Sequence, residues 1–101
     1  IAKKPKDKDV YIKLSALYFE SKQHDKAVRL LNKAIDLGFN DILFFKFRAY
    51  FQIALDNVEK AEEDIQVAIN MDKKVNNGIV KDEQLQSLIQ NLQYLKKKTK
   101  K

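Results

Sequence analysis

The chain holds one histidine, His24, directly before Asp25. Such a pair can orient an imidazole for general-base work, but only if a nucleophile or a further polar group converges on it. Nothing in the local sequence supplies one, and a turn His–Asp pair is expected to be solvated. The absence of cysteine removes thiol catalysis, disulfides and thiolate metal sites. Glu59, Glu62, Glu63 and Asp64 form an acidic cluster. It suits the start of a helix, where negative charge complements the dipole. Asp72, Asp82 and Glu83 flank a stretch containing Gly78, without the spacing of a calcium loop. With only two glycines there is no Gly-rich phosphate cradle, and no Walker or dinucleotide pattern occurs. The expectation is a protein that is not an enzyme and uses neither cofactor nor metal.

The formal charge of +6 points first to an anionic partner. Its distribution weakens that reading. Residues 1–9 carry +2 and residues 96–101 carry +5, which leaves 10–95 at −1. Only Arg29 and Arg48 among the 20 basic residues are arginines, the type best suited to bidentate phosphate and base contacts. The Lys-rich ends, Lys3, Lys4, Lys6 and Lys8 at one and KKKTKK at the other, read mainly as solvated tails. An electrostatic tether to a membrane surface or nucleic acid is one alternative to a protein-binding module; a structural or dimerisation segment of a longer helical array is the other. The tail lacks the interleaved aromatics of single-strand binders.

A length of 101 residues with 45% hydrophobic content fits one small domain. No segment alternates with period two, whereas five segments have helical spacing. The first runs from about Asp9, a plausible N-cap, to about Lys22, with Val10, Leu14, Leu17 and Tyr18 in phase. Asp25 is placed to cap a second helix over 26–37, closed by Gly38. Asn40 or Asp41 caps a third, ILFFKFRAYFQIAL (42–55), which has more apolar residues than one buried face needs. Asn57 caps a fourth over 58–71. KKVNNG (73–78) is non-periodic. The fifth, about 81–97, carries Leu85, Leu88, Ile89, Leu92 and Leu95 on one stripe and Gln84, Gln86, Gln90, Asn91 and Gln93 elsewhere.

Shifting the chain by 34 residues lays DKAVRLLNKAI on EKAEEDIQVAI and Tyr11 on Phe45. Tyr11, Leu14, Ser15 and Tyr18, then Ala27, Leu31 and Ala34, fill one helix–turn–helix pattern. Phe45, Ala49, Ala61, Ile65 and Ala68 fill a second. The pattern resembles the tetratricopeptide repeat over about residues 8–74. Arg48 stands where Leu is usual and Gln52 where Tyr is usual. Phe39 and Lys73 replace the closing proline. The resemblance implies an all-α fold of five helices, with antiparallel helix–turn–helix pairs stacked as a short right-handed α-solenoid. Its parts would be a basic extension (1–8) and a helical domain (9–95). The domain would hold repeats at about 8–41 and 42–75 and a capping helix at about 81–97; a Lys-rich tail (96–101) follows. Two units and a cap make a short array, so a piece of a longer protein, or a module packed on a partner, is expected.

In the resembled family the inner helices line a concave groove that binds peptides. The resemblance implies groove positions Ile12, Ala16 and Phe19 in the first unit and Leu43, Lys46, Phe47, Tyr50, Ile53 and Ala54 in the second. The family also contains clamps for acidic peptide C-termini. Lys13, Lys46 and Arg48 match such a clamp by type alone, and its Lys–Gly–Asn pattern is missing. The expected partner is therefore an apolar or amphipathic protein segment, with Lys46 at the rim for a single carboxylate, and no small-molecule substrate. The other reading of the same aromatics is core: the fifth helix, the N-terminal segment or a second copy covers them. No signal peptide and no uncharged apolar run of 18 residues is present. A cytoplasmic location is expected. The chain opens on Ile rather than Met, which leaves an upstream targeting segment open.

Overall fold

The computed structural model describes residues 8–99, and among them the fold is all-α. Its five helices are α1 (Lys8–Glu20), α2 (His24–Asp36), α3 (Ile42–Ala54), α4 (Val58–Val75) and α5 (Glu83–Thr99). Lys3, Lys4, Lys6, Lys100 and Lys101 lie outside the described residues, whereas Lys96, Lys97 and Lys98 of the expected C-terminal tail belong to α5, which runs on to Thr99. No described helix is long and apolar enough to cross a membrane.

The helix ends follow from local hydrogen bonding. Asp41 caps α3 by accepting the Leu43 N–H at 2.9 Å. Asp82, immediately before α5, accepts the Leu85 N–H at 2.9 Å, so α5 begins two residues later than the apolar stripe indicated. Two expected caps are corrected. Asp25 lies inside the first turn of α2, whose N-cap is Gln23 without a side-chain bond. Asn57 holds the N-cap position of α4 but makes no cap bond; its Nδ2 donates to Gln52 Oε1 at 2.8 Å instead. Helix α4 runs on to Val75, beyond the expected end at 71. There Asn76 Nδ2 donates to the Asp72 carbonyl and carboxylate, both at 2.9 Å.

The turn after α1 and the turn after α3 are alike. Each has a left-handed residue, Lys22 (φ 64°) and Asp56 (φ 62°). Each is closed by the same pair of bonds, Lys22 N–H to Phe19 O and Gln23 N–H to Tyr18 O, then Asp56 N–H to Ile53 O and Asn57 N–H to Gln52 O. These are Schellman closures, which tie off the last carbonyls of a helix. Helices α1 and α3 begin 34 residues apart, as do α2 and α4. At Gly38 (φ 105°) the closure after α2 uses the residue that adopts this φ at least cost.

Helix α1 packs on α2 and α3 on α4, and α2–α3, α4–α5, α3–α5 and α1–α3 contacts join them. Helix α3 lies between two apolar clusters. Phe44 and Phe51 meet Tyr11, Ala27, Leu31 and Ala34 on one side. Phe45 and Ala49 meet Ala61, Ile65, Leu85, Leu88 and Leu92 on the other. This double burial explains most of the apolar surplus in 42–55. Ala27, Ala34, Ala49, Ala61 and Ala68 are all at 0% exposure, where a larger side chain would force the helices apart.

Arg48 is placed by an ion pair rather than by apolar packing. Its Nε and Nη2 donate to Asp64 Oδ2 and Oδ1 at 2.9 and 2.7 Å, and Nη1 donates to Asn32 Oδ1 at 2.7 Å. One guanidinium thus joins α2, α3 and α4. Asp64, read from sequence as one of an acidic cluster at the start of a helix, is buried. Asp72 is buried too, and its Oδ2 accepts the Lys81 and Asp82 N–H groups at 2.7 and 3.0 Å, which fixes the α4–α5 link. The apolar residues of α1 divide differently from the expected stripe. Tyr11 and Ser15 are buried, whereas Val10, Leu14 and Leu17 are exposed.

Candidate functional site

Helices α1, α3 and α5 line one face, and α3 contributes its centre. Phe51 is the fixed floor, 1% exposed. Phe19 stacks on it with ring centroids 4.5 Å apart and planes at 16°. Phe47 and Tyr50 lean against the same ring at 6.1 and 5.9 Å, and Tyr50 meets Phe19 at 5.4 Å. Such offset and tilted contacts fix aromatic rings in place. Tyr50 remains 49% exposed. The result is a ridge, Phe47 and Tyr50, with a hollow on either side.

The hollow toward α1 has a volume of about 560 Å³ and is lined by Ala16, Phe19, Phe47, Tyr50 and Phe51, with Glu20, Lys22 and His24 at one end. His24 packs on Phe19, ring centroids 4.4 Å apart. It is the first residue of α2, not a free turn residue. The hollow toward α5 has a volume of about 330 Å³, and Lys46, Phe47, Tyr50, Gln84, Ser87, Leu88 and Asn91 line it. Both hollows pair an apolar floor with a polar rim, the usual make-up of a recognition surface.

The nine residues expected on this face are not all brought together, and Ala54, exposed at the end of α3, lines neither hollow. Ala16, Phe19, Phe47 and Tyr50 share the larger hollow. Lys46 joins Phe47 and Tyr50 in the smaller one, but not as an exposed rim cation. It is 8% exposed, and Nζ donates to Asp82 Oδ2 at 2.7 Å and Gln84 Oε1 at 2.9 Å. Its carboxylate partner belongs to its own chain, which corrects the expected role. Ile12 packs against the α1–α2–α3 cluster and Ile53 against the α3–α4–α5 cluster. Leu43, at the start of α3, is half-buried and lines neither hollow.

Sequence reading did not assign Gln84, Ser87 and Asn91 to this face. They follow helical spacing beside Leu88, and that periodicity was a signal for it. Knowing which side α5 docks on was the missing step. Two carboxylates hold the edge. At Asp41, burial pushes the carboxyl up. The hydrogen bond from Lys8, the Leu43 N–H and the Lys8 and Lys46 charges outweigh it and hold the group below its ordinary value. At Asp82, burial again opposes ionisation, and the Lys46 hydrogen bond, the Leu85 N–H and the Lys46 charge prevail. A lysine on an earlier helix therefore holds the carboxylate that caps a later one, Lys8 for α3 and Lys46 for α5. Among the described residues no group of three or more His, Cys, Asp or Glu side chains is arranged to hold a metal ion.

No protein-family model matches the chain, and neither a curated protein nor a solved structure matches it.

Proposed function

We propose that the chain is a non-enzymatic protein–protein interaction module of tetratricopeptide-like architecture, and that the α1–α3–α5 face takes a segment of a partner protein. The observation that carries this reading is the half-exposed Tyr50 beside Phe47, standing between two hollows on a rigid aromatic floor. Aromatic side chains fixed in this way lose little entropy on binding and are the commonest interface anchors. The 34-residue spacing of helix starts and the paired Schellman turns support the repeat reading and a solenoid-like stacking of the pairs.

The chemistry of the face favours an apolar or amphipathic segment over an acidic C-terminal tail. Lys46 is already neutralised by Asp82, and Arg48 is committed to Asp64 and Asn32. Among the described residues, Lys22 at the end of the larger hollow is the further cation lining this face. The ridge takes apolar side chains, and Gln84, Ser87 and Asn91 offer hydrogen bonds to a peptide backbone.

The test is fluorescence anisotropy with labelled leucine-rich amphipathic peptides and acidic-ended peptides, against the parent chain and Tyr50→Ala. The expected result is binding of the amphipathic class that weakens about 30-fold in Tyr50→Ala, a loss of about 2 kcal/mol. Unchanged helix content in circular dichroism separates that loss from unfolding. Equal binding by both chains overturns the assignment. A second reading rests on the exposed Lys97 and Lys98 in the last turn of α5: an electrostatic tether to an anionic surface. Its binding to anionic vesicles or nucleic acid would fall steeply with salt.

A further inference from the structure

Helix α1 carries a second apolar surface that neither the core nor the groove uses. Val10, Leu14 and Leu17 are 49, 39 and 59% exposed. They lie at spacings of four and three, and Ser21 continues the same line. Residues so spaced form one seam along a helix, the a and d positions of a heptad. The 34-residue register gives this seam a meaning. Val10 and Leu17 correspond to Phe44 and Phe51 of α3, which are 0 and 1% exposed because they dock on the α1–α2 pair. In α3 this register position faces another helix; in α1 the same position is left exposed by the described residues.

The flanking charges select an occupant. Lys13 and Glu20 are both exposed and lie on the same flank of the seam, a full heptad apart. If a second α1 ran parallel, like residues would face each other at each level and no Lys13–Glu20 contact would form. If it ran antiparallel, Leu14 would meet Leu17 of the other copy in both central layers, and Val10 would meet Ser21 at both ends. Lys13 of each copy would then stand opposite Glu20 of the other, twice by symmetry. Opposite charges beside an antiparallel seam fix its direction and register. A self-complementary patch of this kind is what a two-fold dimer requires.

We propose that a second copy of this chain docks on the Val10–Leu14–Leu17 seam of α1, antiparallel, in a two-fold dimer. The proposal is independent of the groove, since Phe47 and Tyr50 take no part in it. The seam spans only residues 10–21, less than two heptads, and falls short of the roughly 1,200 Å² of a standard stable interface. The dimer therefore dissociates on the order of 100 µM, at the transient end of the range.

Sedimentation velocity of the full chain from about 10 µM to 1 mM, a span bracketing that affinity, tests it. The parent chain is expected to shift from monomer to dimer. Leu17→Glu should stay monomeric throughout while keeping its helix content. Lys13→Glu should weaken dimerisation about tenfold, and Lys13→Glu with Glu20→Lys should restore it, because the two swapped pairs are again opposite in sign. A parent chain that stays monomeric at the highest concentration overturns the proposal and leaves the seam to another chain or segment. A dimer indifferent to Leu17→Glu, or a charge swap that fails to restore association, overturns it equally.

Discussion

Asp82→Ala removes two supports of α5 at one position. The Leu85 N–H loses its acceptor, and loss of such a cap costs about 1 kcal/mol. Lys46 Nζ loses its carboxylate and keeps only Gln84 Oε1. The Lys46 side chain is 9% exposed and that of Asp82 20%. Stripping a fully enclosed charge of its partner costs about 3–5 kcal/mol. Water reaches this gap from the Asp82 side, so a smaller penalty of about 2 kcal/mol applies. The sum, about 3 kcal/mol, lowers the melting temperature of a domain this size by about 15 °C. Adding Lys46→Met removes the stranded ammonium, so the double variant should recover about 2 kcal/mol relative to Asp82→Ala alone. Urea unfolding followed by far-UV circular dichroism reads all four corners of the cycle. If Asp82→Ala costs under about 1 kcal/mol, or if Lys46→Met deepens the loss, the pair does not hold α5 as argued.

Other expectations follow from the same contacts. Arg48→Met strands Asp64, which is buried, and should cost about 3 kcal/mol in urea unfolding; Arg48→Met with Asp64→Leu should recover most of it. Phe51→Ala, at 1% exposure, should cost about 3–5 kcal/mol, whereas Tyr50→Ala, half exposed, should cost under about 1.5 kcal/mol. A comparable loss for both would mean that the ridge is core. Asp41 and Asp82 are held below the ordinary aspartate value of 3.8 in the folded state. Their contribution to stability is therefore complete above that value and is lost as pH falls through the lower folded values. Asp82→Asn should flatten this acid limb in unfolding curves measured against pH; an unaltered limb would contradict the sign.

What the sequence disclosed was what local periodicity encodes. The five helices follow from apolar spacing, and the excess of apolar residues in 42–55 signalled a helix buried on more than one side, as Phe44 and Phe45 are. The alanines that recur at matched positions of the 34-residue pattern are the ones found fully buried between helices. What it concealed were side-chain pairs between helices. Arg48 meets Asp64 across 16 residues and Lys46 meets Asp82 across 36, and no local pattern distinguishes such partners from surface charges. Asp25 misled for a related reason. Its type suits a cap, but the Gln23 and Lys22 hydrogen bonds of the preceding Schellman turn set where α2 begins. The smaller hollow was hidden because it needs the docking side of α5 as well as its periodicity.

The most direct test of the proposed groove is a two-dimensional amide NMR titration of the labelled chain with the leucine-rich amphipathic peptide, at low and high salt. Shifts are expected at Phe19, Phe47, Tyr50, Ser87 and Asn91 that persist at high salt, since apolar burial carries the binding. Shifts confined to Lys96, Lys97 and Lys98 that vanish with salt, or no shifts at the ridge at all, would contradict it.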